Sequence, residues 1–572
     1  VKRVFFAPVH SIERVMFRTG AARTLPDIDT PADRDDTLPG AGNTDTLAVY
    51  RIAHFKTVSR DADSGAAFLR SADYRHYVDY FNAMEDENVV QAIPNAHAWE
   101  WMQENIPLFE CPQQDFEQMY YYRWWTLRKH IKLTDVGYAM TEFLVPRSYA
   151  DKYNLISSAL GHHIYESRWL RNPVYLDQIV NTWYHGNDGE AMRKLDFYSS
   201  WTPAALWARY LVDGRKEPAV ALLPDLEKEY ARWDGHKGIA RPFPSQKGME
   251  GLAAHKCPSA ALYWQYDVRD AMEETISGGR KEKNERPSIN SYMYGNARAI
   301  AAIATLAGDM TTAKIYNTKA DTLKTLVENY LWNDRHNFFE VLKKDSFANV
   351  REAVGFIPWY FNLPSDNAKY AQAWRQCVDP QGFSAPYGQT TAERRHPQFR
   401  THGVGKCEWD GAVWPFATAQ TLTALANYLN DYSRPVVGDS LYFAELEKYV
   451  QSQSHRGKPY IGEYLDETTG YWLKGDQERS RYYNHSTFND LIITGLCGLR
   501  PSAGNSLVVN PLLPAGKWDY FCLDKVRYHG HDLSIVWDRY GSRYHAGKGL
   551  SVYVDGKLKA NRKDMGRVRI EL

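Results

Sequence analysis

The clearest periodic pattern in the chain lies just past its midpoint. Apolar residues recur there in steps of 4, 3, 4 and 3, at Tyr316, Ala320, Leu323, Val327 and Tyr330. That spacing places them on one face of an amphipathic helix, which we expect to begin at Thr311 or Thr312. A preceding helix is expected to be capped by Asn290 or Ser291 and to stop at Gly308. Two such helices joined by a tight turn form an αα-hairpin.

Other segments repeat the helical pattern. Helices are predicted at residues 64–87, 116–130, 155–170, 415–429, 441–449 and 485–499. Repeated helical hairpins over residues 96–500 fit a toroid of paired helices, although periodicity alone does not establish that the ring closes. The chain is therefore predicted to be mainly α.

The pattern changes after Arg500-Pro501. Short β-branched runs follow at residues 506–510, 533–537, 550–558 and 567–572, and Asp555-Gly556 is a strong hairpin turn. We expect a small C-terminal antiparallel β domain at residues 501–572. Residues 1–95 are interpreted as an N-terminal extension that packs on the helical domain, with a loop at residues 27–45.

Charge and composition narrow the function. The 572 residues include 69 Lys+Arg and 69 Asp+Glu, which argues against a nucleic-acid-binding protein and a polybasic membrane anchor. No run of about 20 apolar residues predicts a membrane span. Aromatic content is high, with 39 Tyr, 22 Phe and 18 Trp. Most of these rings are expected in packing, and a few are expected to stack on sugar.

Metal and disulfide chemistry is not indicated. The cysteines are widely spaced, form no CxxC pair and are expected to be buried free thiols, with one or two disulfides left open: Cys111, Cys257, Cys377, Cys407, Cys497 and Cys522. His162 and His163 point about 100° apart on a helix and do not form a chelating pair. No signal peptide is recognised. The sequence starts at Val1 rather than Met, and a periplasmic or secreted location is expected if a leader preceded it.

Candidate chemistry concentrates in two distant stretches. Residues 263–279 combine aromatic rings with four carboxylates at helical or near-helical spacing, Asp267, Asp270, Glu273 and Glu274. In a helix or a tight loop, several of these could point into one cavity. Residues 461–470 carry a second set of carboxylates beside aromatic residues. Glycoside hydrolysis needs two such groups, one to protonate the leaving oxygen and one to activate water or attack.

Two neighbouring segments carry a family resemblance. Residues 271–277 and 289–304 resemble segments of inverting exo-glycosidases of the α-glucosidase I, mannosylglycerate hydrolase and trehalase type, glycoside hydrolase family 63. In that group a Gly-(Met or Trp)-Asp-x-Ser segment carries the general acid, and the match implies Glu273 in this role. Asn290 and Tyr292 fall on the polar and aromatic positions of the following helix. Glu replaces the group's Asp, so Glu274 or Asp270 remains an alternative acid.

Two further motifs follow in the same order. Residues 408–415 look like the group's Trp-Arg-Gly-Pro-Val-Trp segment, with Asp410 in place of Arg. Residues 462–470 look like the segment that carries the general base, which implies Glu463. His485 matches a site near the start of the last barrel helix. The resemblance covers residues 100–500 and implies an (α/α)6 barrel, a pocket formed by the loops at one end, and no metal or organic cofactor.

The pocket is expected to bind a terminal sugar. The residues expected to bind substrate are Trp264, Tyr266, Asp267, Asp270, Asn290, Tyr292, Trp409, Asp410, Trp414, Tyr483 and His485. Each tryptophan can equally be a wall residue, and Asp267 and Asp410 can equally hold arginine side chains. Glu273 could also be an ion-pair partner of Arg269, and Glu463 a surface charge beside Lys458.

The resulting hypothesis is an exo-acting, inverting glycoside hydrolase, an α-glycosidase that acts in polysaccharide degradation. Inversion requires carboxyls roughly 6.5–9.5 Å apart, whereas about 5 Å indicates retention. One alternative is a hydrolase of rhamnose or arabinose residues in plant polysaccharide. Others are a non-catalytic carbohydrate-binding barrel, and a lyase or epimerase that uses His485, Tyr483 and Arg481.

Overall fold

The structure, a computed structural model, describes residues 67–241, 260–344 and 346–572, all within one compact unit, Thr46–Leu572. The predicted loop at residues 27–45, the start of the predicted helix 64–87 and Cys257 lie outside these residues.

Helices dominate the described residues up to position 500. They are α1 Arg75–Ala83, α2 Ala98–Asn105, α3 Gln114–Lys129, α4 Leu160–Ser167, α5 Val174–His185, α6 Thr202–Asp213, α7 Lys216–Ala221, α8 Leu223–Arg232, α9 Pro287–Ala307, α10 Met310–Tyr330, α11 Ile357–Tyr360, α12 Ala368–Ala371, α13 Pro415–Asp431, α14 Asp439–Ser452 and α15 Asn489–Leu491. The prediction of a mainly α protein is confirmed.

The strands are short before residue 500 and longer after it. They are β1 Leu108–Glu110, β2 Ile131–Thr134, β3 Gly137–Met140, β4 Lys237–Arg241, β5 Ala260–Gln265, β6 Asn284–Glu285, β7 Trp332–Asn333, β8 Phe338–Phe339, β9 Leu342–Lys343, β10 Ser346–Phe347, β11 Ser384–Ala385, β12 Gly388–Gln389, β13 Ser454–His455, β14 Lys458–Pro459, β15 Leu499–Arg500, β16 Ser506–Val509, β17 Tyr520–Tyr528, β18 His531–Asp538, β19 Gly549–Val554, β20 Lys557–Arg562 and β21 Val568–Glu571.

The predicted αα-hairpin is formed by α9 and α10. Gly308 ends α9 in the left-handed region (φ 83°), where a residue without Cβ is favoured. The Asp309 side chain accepts a hydrogen bond from the Thr312 backbone N–H at 3.0 Å and so caps α10. The predicted start of α9 at Asn290 or Ser291 is wrong, because Pro287 occupies the first turn, where its missing N–H costs nothing.

Six helices contact one another in a closed circuit. The circuit runs through α4, α6, α9, α11, α13 and α15 and returns to α4. Its interior is filled by large aromatic side chains: Trp201 of the α6 N-terminus lies 4.9 Å from the Tyr292 ring of α9. The Tyr292 hydroxyl accepts a hydrogen bond from Gln420 of α13 at 2.7 Å.

The last helix is shorter than predicted. Instead of a helix over residues 485–499, α15 spans Asn489–Leu491 and continues as a π-helical turn, Ile492–Leu496. The segment before it runs non-helically because it is hydrogen-bonded to two other loops, for example from the Asn484 backbone N–H to the Glu142 carbonyl. The buried Glu166 carboxylate accepts backbone N–H bonds from Phe488, Asn489 and Asp490 and so caps α15.

The C-terminal strands form antiparallel sheets, as predicted. One sheet has the order β1-β17-β18-β19-β20 and another has the order β15-β16-β21. Asp555 and Gly556 both have positive φ, 48° and 73°, which is typical of the tight hairpin turn predicted there. β1 comes from residues 108–110 and pairs with β17, so this sheet also contacts the first part of the chain.

Several elements were not predicted. Helices α5 to α8 and strand β17, the longest of the described strands, lie in stretches for which no element was predicted. Among the described residues, no helix is both long enough and apolar enough to cross a membrane. Cys111, Cys377, Cys497 and Cys522 are buried free thiols.

Replacing Glu166 with Ala should destabilise the protein. The change would leave the buried N–H groups at the start of α15 without an acceptor, at a cost of roughly 2–3 kcal/mol. A lower apparent Tm by calorimetry is expected for Glu166→Ala. Asp321→Asn, which removes one partner of a solvent-exposed ion pair, is the control and should leave Tm nearly unchanged. Equal Tm values for the two variants would contradict the capping role.

Candidate active site

The segment after β5 is a tight loop rather than a helix. A single 3-10 turn, Asp267–Arg269, opens it, and Ala271 and Glu274 have positive φ of 56° and 68°. The Asp267 carboxylate accepts hydrogen bonds from the backbone N–H groups of Val268 at 2.6 Å and Glu274 at 3.2 Å. Asp267 therefore holds the loop in shape from inside.

Asp270 forms a buried ion pair. Its carboxylate lies 2.8 Å from the Arg286 guanidinium, and both side chains are completely buried. Ser288 donates a further hydrogen bond to the same carboxylate oxygen. The ion pair and the Ser288 hydrogen bond therefore give the Asp270 carboxylate a structural role.

Two cations lie beside the Glu274 carboxylate. Its carboxylate lies 3.2 Å from Arg280 and 3.5 Å from Lys406. The neighbouring carboxyl, Glu273, differs in that its pKa is strongly raised. Burial raises the pKa of Glu273 to about 8, with Asp267 and Glu463 adding to the shift and Arg280 opposing it. Burial raises the pKa of Asp267 as well, but it is the pKa of Glu273 that reaches about 8.

Glu463 lies on the second predicted segment. Its backbone N–H donates to the Ser480 hydroxyl at 3.1 Å, and its carbonyl accepts a hydrogen bond from His485 Nε2 at 3.1 Å. Burial raises the pKa of Glu463, but Arg479, Lys474 and Arg147 oppose that shift. The charge of Glu463 adds to the upward shift of the Glu273 pKa, which indicates that the two carboxyls lie within electrostatic range of each other.

A ladder of stacked rings lies beside Glu463. Trp409 stacks on Trp414 at 4.6 Å, and Trp414 stacks on Tyr464 at 4.7 Å. The His485 ring is 5.9 Å from the Trp414 ring. All four rings are buried, so they form wall rather than open surface.

Several buried polar atoms in this wall have no hydrogen-bond partner among the described residues. They are Trp409 Nε1, Asp410 Oδ1, Glu463 Oε2 and His485 Nδ1. Glu463 Oε2 lies 3.4 Å from Arg479, an ion pair without hydrogen-bond geometry. Buried polar groups are normally satisfied. These four groups lie close to the proposed base Glu463 and add polar atoms to an otherwise aromatic wall.

Two other residues predicted to bind substrate, Asn290 and Asp410, form hydrogen bonds within the protein. The Asn290 amide binds both backbone groups of Tyr263 at 2.8 Å and the Arg286 carbonyl, which fixes β5 against α9. Asp410 accepts the Gly403 backbone N–H at 2.8 Å and so holds the loop beside Glu274. These contacts give both side chains a structural role.

The remaining predicted residues flank the site. Trp264 is half-buried, with the His236 ring stacked on it at 4.4 Å and the Lys283 amine 4.4 Å from its ring centre. The Tyr266 ring packs edge-on against Trp264 at 5.3 Å. Tyr483 is buried, and its hydroxyl donates to Glu142 at 2.7 Å.

Three residues near Glu463 and Glu273 were not predicted from the sequence: Glu142, Tyr149 and Tyr198. Burial raises the pKa of Glu142 to about 7, and Glu463 adds to the shift. Tyr198 is buried in one cluster with Tyr483, and Tyr149 packs against that cluster. The charges of Glu273 and Glu142 add to the upward shift that burial gives the pKa of Tyr198. Glu142 lies in a short extended piece without a motif, and only the tertiary contact with Tyr483 reveals it.

Comparison with known proteins identifies the family of the chain. Residues 152–486 match the model of the mannosylglycerate hydrolase MGH1-like glycoside hydrolase domain. Because this match covers more than half of the chain, the chain belongs to the MGH1-like glycoside hydrolase family. Residues 499–560 match the C-terminal domain of glycosyl hydrolase family 65, and residues 1–34 match a sialidase-like CBM domain.

Solved structures and a curated relative add detail. A structure described as a sialidase is 62% identical with a TM-score of 0.85, covering 89% of this chain and 46% of that one. A family 78 rhamnosidase of Bacillus sp. GL1 is 12% identical with a TM-score of 0.51, covering 80% of this chain and 42% of its own, and shows a similar fold. An uncharacterised protein of Borreliella burgdorferi is 22% identical over 174 residues, 29% of this chain and 31% of that protein. The chain spans less than half the length of each of these proteins.

Replacing Asp270 with Asn should destabilise the protein strongly. The change would leave the Arg286 guanidinium buried without its carboxylate partner, and breaking a buried pair in this way typically costs about 3–5 kcal/mol. Circular dichroism melting should give a much lower apparent Tm for Asp270→Asn than for the Asp321→Asn control. A Tm equal to that of wild type would show that Arg286 does not depend on Asp270.

Proposed function

We propose that the protein is an exo-acting glycoside hydrolase that releases a terminal sugar with inversion, using Glu273 as general acid and Glu463 as general base. The observation that carries this proposal is the contrast between two buried, electrostatically coupled carboxyls on distant segments. Burial lifts the pKa of Glu273 to about 8, whereas three cations counter the effect of burial at Glu463.

The contrast matches the two roles. A general acid must be protonated at the working pH, and an apolar, buried setting achieves this for a carboxyl group. A general base must be ionised, and the Arg479 guanidinium 3.4 Å from Glu463 favours the ionised form. Protonation of the leaving oxygen by Glu273 and activation of water by Glu463 together complete hydrolysis without a metal or organic cofactor.

The architecture proposed for this chemistry is an (α/α)6 toroid. The closed circuit of six helices supports an inner ring, and the tight α9–α10 hairpin supports the pairing of an inner with an outer helix. In this proposal residues 96–500 form the catalytic barrel, residues 501–572 the C-terminal β domain and residues 1–95 an extension packed on the barrel.

Exo-action follows from the resemblance to the inverting exo-glycosidases of the glucosidase I type. The α-configuration follows from the resemblance to the glucosidase I group. The 62% identical structure described as a sialidase adds acidic sugars to the candidates. Arg147, Lys474 and Arg479, all within electrostatic range of Glu463, could face a substrate carboxylate. Rhamnosides and arabinosides remain alternative substrates.

The acid and base assignment can be tested on a panel of glycosides. Aryl α- and β-glycosides of glucose, mannose, rhamnose, arabinose and sialic acid, together with plant oligosaccharides, would be offered to the wild type, Glu273→Gln and Glu463→Gln. Activity should fall by about 10²-fold to 10⁴-fold in each variant, because each change removes a proton-transfer group. Proton NMR of the first product should show inverted configuration.

A matched control for this panel is Glu229→Gln. Glu229 is also a buried carboxyl whose pKa is raised to about 7 by burial, and it lies on α8 outside the site. This variant should retain wild-type activity. Full activity in Glu273→Gln or Glu463→Gln would refute the assignment, and a retained anomer would refute inversion.

The pH profile offers a second test. Glu273 must be protonated to act, so kcat/KM should fall as the pH rises through about 8, the pKa that burial gives this carboxyl. Arg280 favours the ionised form of Glu273. Removing this cation in Arg280→Gln should raise the pKa and move the alkaline limb to higher pH. An alkaline limb that stays in place or moves down would contradict Glu273 as the titrating acid.

A further inference from the structure

Three chain segments meet behind the proposed base. Residues 483–485 lie between residues 461–463, which carry Glu463, and residues 141–142. On one side the Tyr483 backbone N–H donates to the Ile461 carbonyl at 3.3 Å. On the other side the Asn484 backbone N–H donates to the Glu142 carbonyl at 3.0 Å.

Side chains reinforce both connections. The Glu142 carboxylate accepts the Tyr483 hydroxyl at 2.7 Å and the Ser158 hydroxyl at 3.0 Å, one on each oxygen. The Tyr483 ring lies 4.1 Å from the His485 ring. His485 in turn donates from Nε2 to the Glu463 carbonyl. An unbroken chain of contacts thus runs from Ser158 through Glu142, Tyr483 and His485 to Glu463.

Tyr483 also belongs to a separate, mainly aromatic cluster that reaches the acid loop. Phe143, Ile156, Tyr198 and Tyr483 are buried together, apart from the main core, and Ala271 of the acid loop packs against them. The Phe143 ring contacts the Tyr483 ring edge-on at 4.5 Å. Tyr483 is therefore held by packing on one side and by the Glu142 hydrogen bond at its hydroxyl.

We infer that Glu142 is a positioning residue of the active site, which fixes Tyr483 and, through His485, sets the place of the general base Glu463. The inference deepens the proposed function and rests on it, since it takes Glu463 as the base. Electrostatic coupling between Glu142 and Glu463 supports it. Small displacements of a catalytic group are costly, because water attack requires aligned reacting atoms.

The test is a double-mutant cycle of Glu142→Gln and Tyr483→Phe, measured on the glycoside that the wild type cleaves. Tyr483→Phe removes a single oxygen and keeps the ring packing, so it should fold even if Glu142→Gln does not. Each single variant should lower kcat roughly 10-fold to 100-fold while KM stays close to the wild-type value. The double variant should be no slower than the slower single variant, because both changes break the same contact.

A second Glu–Tyr pair in the same protein provides the control. Tyr184 donates its hydroxyl to the buried Glu229 carboxylate at 2.5 Å, and the pKa of Glu229 is likewise raised to about 7. Tyr184→Phe and Glu229→Gln therefore impose the same chemical change away from the site. Both should keep the wild-type kcat, whatever they do to the apparent Tm.

The outcomes separate this inference from the proposed function. If Glu463→Gln is inactive while Glu142→Gln and Tyr483→Phe keep the wild-type kcat, Glu142 has no positioning role and the proposed base stands. Additive losses in the cycle, or a rise in KM alone, would also overturn the positioning role. If Glu463→Gln remains active, the proposed base is wrong and this inference falls with it.

Discussion

The loop that carries the proposed acid Glu273 depends on one buried ion pair, between Arg286 and Asp270. Besides Asp270, the nearby carboxylates of Glu352 and Asp267 raise the pKa of Arg286. Arg286 immediately precedes α9, so the same residue connects the acid loop to the α9–α10 hairpin. One cation thereby compensates carboxylates that would otherwise repel one another in a region closed to water.

That compensation leaves Glu273 in a distinct electrostatic position. Asp267 is stabilised by backbone N–H groups, Asp270 by Arg286 and Glu274 by Arg280 and Lys406. These contacts hold the three neighbouring carboxyls in place, whereas burial raises the pKa of Glu273 to about 8 and also raises the pKa of Asp267. The carboxyls of the loop therefore differ in their partners, and Glu273 is the one proposed as the acid.

Much of the fold could be predicted from the sequence because the signals are local. The α9–α10 hairpin, α13, α14 and the Asp555-Gly556 turn follow from periodicity and turn chemistry. The role of Asn290 could not be predicted, since its amide satisfies the backbone of β5, which is distant in sequence. Residues 485–499 have a helical composition, but contacts with two other loops override it. Glu142 carries no motif, and only the Tyr483 contact places it in the site.

The two halves of the site are therefore built differently. Within residues 267–286 the proposed acid loop is shaped by local contacts, the Asp267 hydrogen bonds and the Asp270–Arg286 pair. Distant segments also hold it, through Lys406 beside Glu274 and through the hydrogen bond from the Ser277 backbone N–H to Glu352. The proposed base Glu463 has no such local framework, because it depends on segments near residues 142, 463 and 484 that meet only in the folded protein. Substitutions that displace any of these three segments should therefore disturb the placement of Glu463.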